Sequence, residues 1–206
     1  MLIEVAGIDG SGKTTLIHAA RKRINELGQA YAYERPFQSE GVRLLEAAAS
    51  RAGRCRPYKV FGHSTVEAVR AVDLVARSAL LHMYKGSNVQ HAFCDGYVVE
   101  QLGRFRQFGL ATAQNLEILK FATQPDILIY LRLPAEQAIE RMRGRPKGDS
   151  LLLEDDPLAA TQKVISALEE VIADLGSGVI ALDATQSPDR LLTEVMQIIE
   201  RSQHGA

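Results

Sequence analysis

The sequence predicts an α/β protein built on a five-stranded parallel sheet with helices on both faces. Three observations predict it. Short apolar runs alternate with helical patterns from one end of the chain to the other, the order that yields a parallel sheet. The 206 residues are 46% apolar and 24% charged, enough to bury a sizeable core in one compact domain spanning 1–206. A glycine-rich segment lies between the first apolar run and the first helical pattern.

The predicted strands are 2–6, 30–33, 88–94, 127–131 and 179–182, each short and apolar as a strand covered on both sides should be. Helices are expected over 13–27, closed by Gly28, and over 42–52, closed by Gly53. A long third helix over 64–84 starts at Ser64-Thr65-Val66-Glu67, which reads as a capping box. Another helix follows Pro134, and Ser187-Pro188 opens a last one to about 202. Two segments interrupt the alternation. Residues 53–62 are rich in Arg, Pro and Gly and read as a loop; residues 144–157 carry Arg145, Pro146, Lys147, Gly148 and an acidic cluster and read as a lid.

Composition narrows the function. A formal net charge of −1 argues against a surface that wraps polymeric nucleic acid, so any anion site must be local. The only cysteines, Cys55 and Cys94, are too few for a zinc framework or disulfide scaffold, and a reducing cytoplasm is the expected setting. No export leader precedes the first strand, and the longest apolar stretch, near 69–81, carries Arg70, Asp73 and Arg77, so no membrane association is expected.

Gly7-Ile8-Asp9-Gly10-Ser11-Gly12-Lys13-Thr14 matches G-x-x-x-x-G-K-[ST], and it falls between a strand and a helix as its mechanism requires. Glycines let successive N–H groups point inward at phosphate oxygens, and the following helix adds its positive dipole end. Gly10, Ser11, Gly12, Lys13, Thr14 and Thr15 are therefore the expected ATP-binding residues, with Lys13 reaching the β and γ phosphates and the Thr14 hydroxyl on Mg²⁺. The guanine-reading N-K-x-D segment of GTPase switches is absent, and the arginine-bearing lid favours a kinase over a non-enzymatic ATP-binding module.

Four pieces in this order resemble the thymidylate kinases over most of the chain: the phosphate loop through Thr15, Cys94-Asp95-Gly96-Tyr97, Gln124-Pro125-Asp126 and Leu182-Asp183-Ala184. The resemblance implies a P-loop kinase with a lid, transferring the γ-phosphoryl group of ATP-Mg²⁺ to a nucleoside monophosphate such as dTMP, and a homodimer. It implies roles for Asp9 near the acceptor sugar and metal and for Arg77 at the base on the third helix, with Gln101 as a weaker base contact. It also suggests that an adenine site forms around 183–186. Read from the residues, Asp95 ends a strand at the sheet's carboxyl edge and could hold Mg²⁺ through water. Arg70 stands two turns before Arg77 on nearly the same face, so both could line one acceptor cleft. Arg141 and Arg145 are the candidate catalytic cations of the lid region.

The chain departs from the family in two places. Asp95-Gly96-Tyr97 stands where the family has Asp-Arg-Tyr, so the Arg that grips the acceptor phosphate is missing. Arg35, leaving the second strand, can replace it, and the acceptor is then a monophosphate. Glu34 offers an alternative as a general base toward a sugar hydroxyl, and the acceptor is then a nucleoside. The second departure is Asp73, where the family places an aromatic residue under the base; Phe61, Tyr97 or Phe105 are candidates to replace that stack.

Overall fold

The computed structural model of the chain describes residues 1–53, 56–85, 87–146 and 149–204. Its elements are β1 (Leu2–Gly7), α1 (Lys13–Glu26), β2 (Tyr31–Glu34), α2 (Glu40–Arg51), α3 (Tyr58–Lys85), β3 (His91–Asp95), α4 (Val98–Gln107), α5 (Ala113–Leu119), β4 (Ile127–Arg132), α6 (Ala135–Arg143), α7 (Pro157–Leu175), β5 (Val179–Asp183) and α8 (Pro188–His204). The five strands form one parallel sheet, as predicted, and their order in it is β2-β3-β1-β4-β5. The central strand is thus the one that leads into the phosphate loop.

Every residue of β1 is buried, and strand alternation sends its side chains to two different cores. Ile3 and Val5 pack with Ile17, Ala20 and Ile24 of α1, Ala138 and Met142 of α6, and Val195 of α8. On the other face, Leu2 meets α3, α4 and α5 through Leu74, Leu81, Phe105 and Leu119, and Ala6 meets α4 and α7 through Val99 and Leu168. These layers clamp β1 from both sides and fix the position of its exit.

Three expectations need correction. The segment 53–62 is helical from Tyr58 onward, because the N–H groups of Val60 and Phe61 close a turn on the Pro57 carbonyl; Arg54 and Cys55 lie outside the described residues. Gly62, at φ 74° and ψ 160°, breaks α3 where the capping box was expected, and Glu67 turns its carboxylate to Arg70, Arg104 and Gln101 instead of capping. In the lid segment, Ser150–Leu153 forms a 3-10 turn started by the Asp149 carboxylate accepting from Leu151 N–H, while Lys147 and Gly148 lie outside the described residues.

Glu4 is the one charged side chain that β1 buries. One of its oxygens accepts from Val99 N–H at 2.9 Å, in the first turn of α4, where a negative charge suits the helix dipole. Burial, reinforced by the nearby Glu100 carboxyl, pushes its pKa up to about 8. The folded protein therefore keeps this proton where the unfolded chain has already released it, near 4.5. Stability should accordingly fall as pH rises from about 5 toward 8, by up to a few kcal/mol for such a shift. Glu4→Gln keeps the acceptor for Val99 and removes the titration. Calorimetric melting across this range should show a flatter pH dependence for Glu4→Gln than for the parent chain.

Candidate active site

The phosphate loop leaves β1 at the carboxyl edge of the sheet, beside the end of β3, where Val5 is paired with Asp95. Ligands collect at such edges because helix N-termini and strand ends converge there. Gly10 and Gly12 hold φ near 91° and 96°, the left-handed region that the loop's curl requires. A Cβ on Gly10 would also press on the backbone of Ala138 in α6, so the loop lies directly on that helix. Lys13 folds back over the loop, its Nζ donating to the carbonyls of Gly7 (2.5 Å) and Ile8 (3.2 Å) and standing 3.4 Å from Glu100 Oε1. Ser11 Oγ is buried without a hydrogen-bond partner at the same turn.

Thr14 and Asp95 meet across the loop: Thr14 Oγ1 donates to Asp95 Oδ2 at 2.6 Å. Tyr33 OH donates to the same oxygen at 2.9 Å, and Arg35 Nε stands 3.6 Å away. A hydroxyl and a carboxylate placed together at a phosphate loop fit Mg²⁺, which keeps waters and phosphate oxygens as most of its ligands. Among the described residues no group of three or more His, Cys, Asp or Glu is placed to cage a metal by protein atoms alone.

The loop opens into a cleft of about 1010 Å³, above the usual size for one small ligand. Eight described lining residues are Lys or Arg and five are Asp or Glu, although the whole chain is net −1. Positive side chains are thus in excess around this cleft. The cleft brings together Asp9, Gly10, Gly12, Lys13, Thr14, Thr15, Arg35, Arg70, Asp95 and Arg145 of the predicted residues. Arg145 stands 3.8 Å from Asp9 of the phosphate loop and 3.6 Å from Asp149 of its own segment. Arg70 stacks on the Phe37 ring and donates to the Phe37 carbonyl and to Glu67.

Other predicted residues lie elsewhere. Arg77 shares the face of Arg70, but two turns place it about 11 Å farther along α3; it does not line the cleft itself and donates to the carbonyl of Gln38, which does. Glu34 is turned away from the loop. Alternation along β2 aims Tyr33 at Asp95 and Glu34 at α3, where Glu34 accepts from Tyr84 OH at 2.8 Å. Tyr97 is fully buried in the core and donates to the Thr123 carbonyl; Gln101 is buried against Glu67. Arg141 donates to the carbonyls of Gly10 (3.4 Å) and Ala184 (3.0 Å), tying the phosphate loop to the turn after β5.

Glu100 went unnoticed in the sequence. It is buried, lines the cleft, and has no hydrogen-bond partner on either oxygen. Burial pushes its pKa up to about 7 against the pull of Lys13. A Cβ on Gly96, whose φ is 74°, would run into the Glu100 carboxyl. Gly96 and Glu100 therefore belong together: the carboxyl occupies the space into which an Arg at 96 would have to start. Asp73, the second departure, accepts from Ser39 Oγ (2.6 Å) and Gly41 N–H (2.7 Å), so it anchors the start of α2 and has no place under a base.

No family model matches the chain. It is 26% identical to the thymidylate kinase of Oenococcus oeni, with 98% of this chain and 96% of that protein covered. It is 26% identical to that of Mycoplasmopsis agalactiae (96% and 93% covered) and 24% identical to the probable thymidylate kinase of Pyrococcus abyssi (98% and 97% covered). Among solved structures, a deoxyadenosine kinase from M. mycoides, bound to its products dCMP and a flexible dCDP, superposes with a TM-score of 0.67 at 19% identity, covering 98% of this chain and all of that one.

The Gly96–Glu100 contact predicts a non-additive pair. Gly96→Arg should destabilise by about 1–2 kcal/mol from the left-handed backbone alone, and by more from the collision with Glu100. In a Glu100→Ala background the second part should vanish, leaving a measurable coupling energy in urea denaturation. Along nearly its whole length the chain is thus similar in sequence to thymidylate kinases, and it shares the fold of a solved deoxyadenosine kinase.

Proposed function

We propose that the protein transfers the γ-phosphoryl group of ATP to a nucleoside monophosphate, with dTMP the first candidate. One observation carries the choice of acceptor: Arg35 stands beside Asp95 at the phosphate loop and supplies the cation that Gly96 lacks. The carboxylate that would serve a hydroxyl acceptor, Glu34, is engaged with Tyr84 on the other face of β2. A monophosphate oxygen is already a nucleophile at neutral pH and asks the site for position and charge, not for a strong base.

In this reading the loop amides bind the triphosphate, and Lys13 exchanges the carbonyls of Gly7 and Ile8 for phosphate oxygens. Thr14 and Asp95 would hold Mg²⁺, which, when bound, neutralises charge on the phosphate oxygens. Asp9 and Arg145 close the lid side of the cleft against water. Arg141 acts at one remove, by holding the loop to the β5 turn. The same reading includes a homodimer, for which Val72, Leu80 and Met83 give α3 an exposed apolar stripe. No helix among the described residues is long and apolar enough to cross a membrane; the reading also includes a cytoplasmic location.

The test is to incubate the protein with ATP, Mg²⁺ and a panel of nucleosides and monophosphates and to identify products by mass. Conversion of dTMP to dTDP is expected; conversion of nucleosides alone would overturn the choice of acceptor, and no conversion would overturn the kinase. Lys13→Ala should lower kcat by at least about 100-fold, the scale of one lost transition-state contact, with an unchanged circular dichroism spectrum. Arg35→Ala should raise KM for the monophosphate by roughly tenfold or more, as loss of a charge-assisted bond implies, while KM for ATP stays near the parent value.

A further inference from the structure

One part of the cleft is not used by phosphate chemistry. Tyr58 and His63 of α3 and Phe108, just past the end of α4, bring three rings together there. The Tyr58 and His63 centroids are 4.5 Å apart and the rings 26° from parallel. His63 and Phe108 are 3.9 Å apart and 19° from parallel. The Arg104 guanidinium completes the wall, 5.8 Å from the Tyr58 centroid and 5.3 Å from that of Phe108.

The wall is built, not incidental. Gly62 breaks α3 in the left-handed region, which turns the His63 ring onto Phe108. Arg104, Gln107 and Phe108 are spaced to share one face of α4. Arg104 donates to Tyr58 OH at 2.5 Å and to the fully buried Glu67 at 2.8 Å. That carboxylate offsets its charge, so Arg104 presents a flat, largely neutralised plate. Gln107 lines the same cleft, and its buried amide oxygen has no hydrogen-bond partner. Stacked rings, a planar cation and an unused amide suit a flat heteroaromatic ring with an N–H edge.

We infer that Tyr58, His63, Phe108 and Arg104 form the seat of the acceptor's base, with Gln107 reading its edge. This rests on the monophosphate reading above and adds which residues choose the base. It also accounts for Asp73: the stack has moved from the middle of α3 to its kinked start and to the end of α4. Glu67 links the two halves of the acceptor site, since it holds Arg104 of the wall and Arg70 together.

The test compares dTMP with deoxyribose 5-phosphate, which keeps the sugar and phosphate and lacks the ring, in the parent chain, Phe108→Ala, His63→Ala and Phe108→Tyr. Phe121→Ala, exposed and outside the cleft lining, serves as control. Removing a stacking partner should raise KM for dTMP by roughly 3- to 10-fold, leave binding of deoxyribose 5-phosphate and KM for ATP unchanged, and so narrow the discrimination between the two acceptors. Phe108→Tyr should restore it, a rescue that general loosening of the fold would not give. Equal KM for dTMP in all variants would overturn the base seat and leave the kinase standing; failure of the parent chain to phosphorylate any monophosphate would remove both.

Discussion

Everything in this molecule is arranged around the exit of a strand that has no freedom to move. β1 is buried on both faces and paired on both edges, so the loop that follows begins from a fixed point. Backbone N–H groups can hold a polyphosphate only if they already converge before the ligand arrives, because ordering them on binding would consume the affinity they provide. The loop is further braced from outside. Ala138 of α6 lies under Gly10, and Arg141 one turn later ties the Gly10 carbonyl to the turn after β5.

Several polar side chains at the phosphate loop rest on partners within the chain. Lys13 rests on the carbonyls of Gly7 and Ile8, Thr14 on Asp95, and Arg145 on Asp9. Glu100 is the exception: a carboxyl facing Lys13 with no hydrogen-bond donor, held mostly by burial and by that one cation.

Much of this was legible in the residues. The five-stranded parallel sheet and the place of the phosphate loop between a strand and a helix follow from short-range patterns, because each is set by neighbours in sequence. Where Glu34 and Arg77 point is something sequence conceals: strand alternation turns Glu34 toward Tyr84 of α3, and helix rise sets Arg77 behind Gln38 of the cleft lining. Tyr97 and Gln101 went into the core since their polar tips find backbone and Glu67 partners there. The aromatic wall was not legible at all. Tyr58 and His63 lay in a stretch read mostly as loop, and their meeting with Phe108 depends on the Gly62 break and on how α4 lies against α3. Only the left-handed preference of glycine between two apolar helical patterns hinted at it.

The central claim is that this pre-formed loop grips a magnesium-bound triphosphate. Thermal unfolding with and without saturating Mg-ATP tests it most directly, since a ligand at about 100 times its Kd stabilises by about 2.7 kcal/mol, or roughly 5–10 °C in a chain of this size. The account predicts that rise for the parent chain and little of it for Lys13→Met; an unshifted melting temperature at millimolar Mg-ATP would contradict it.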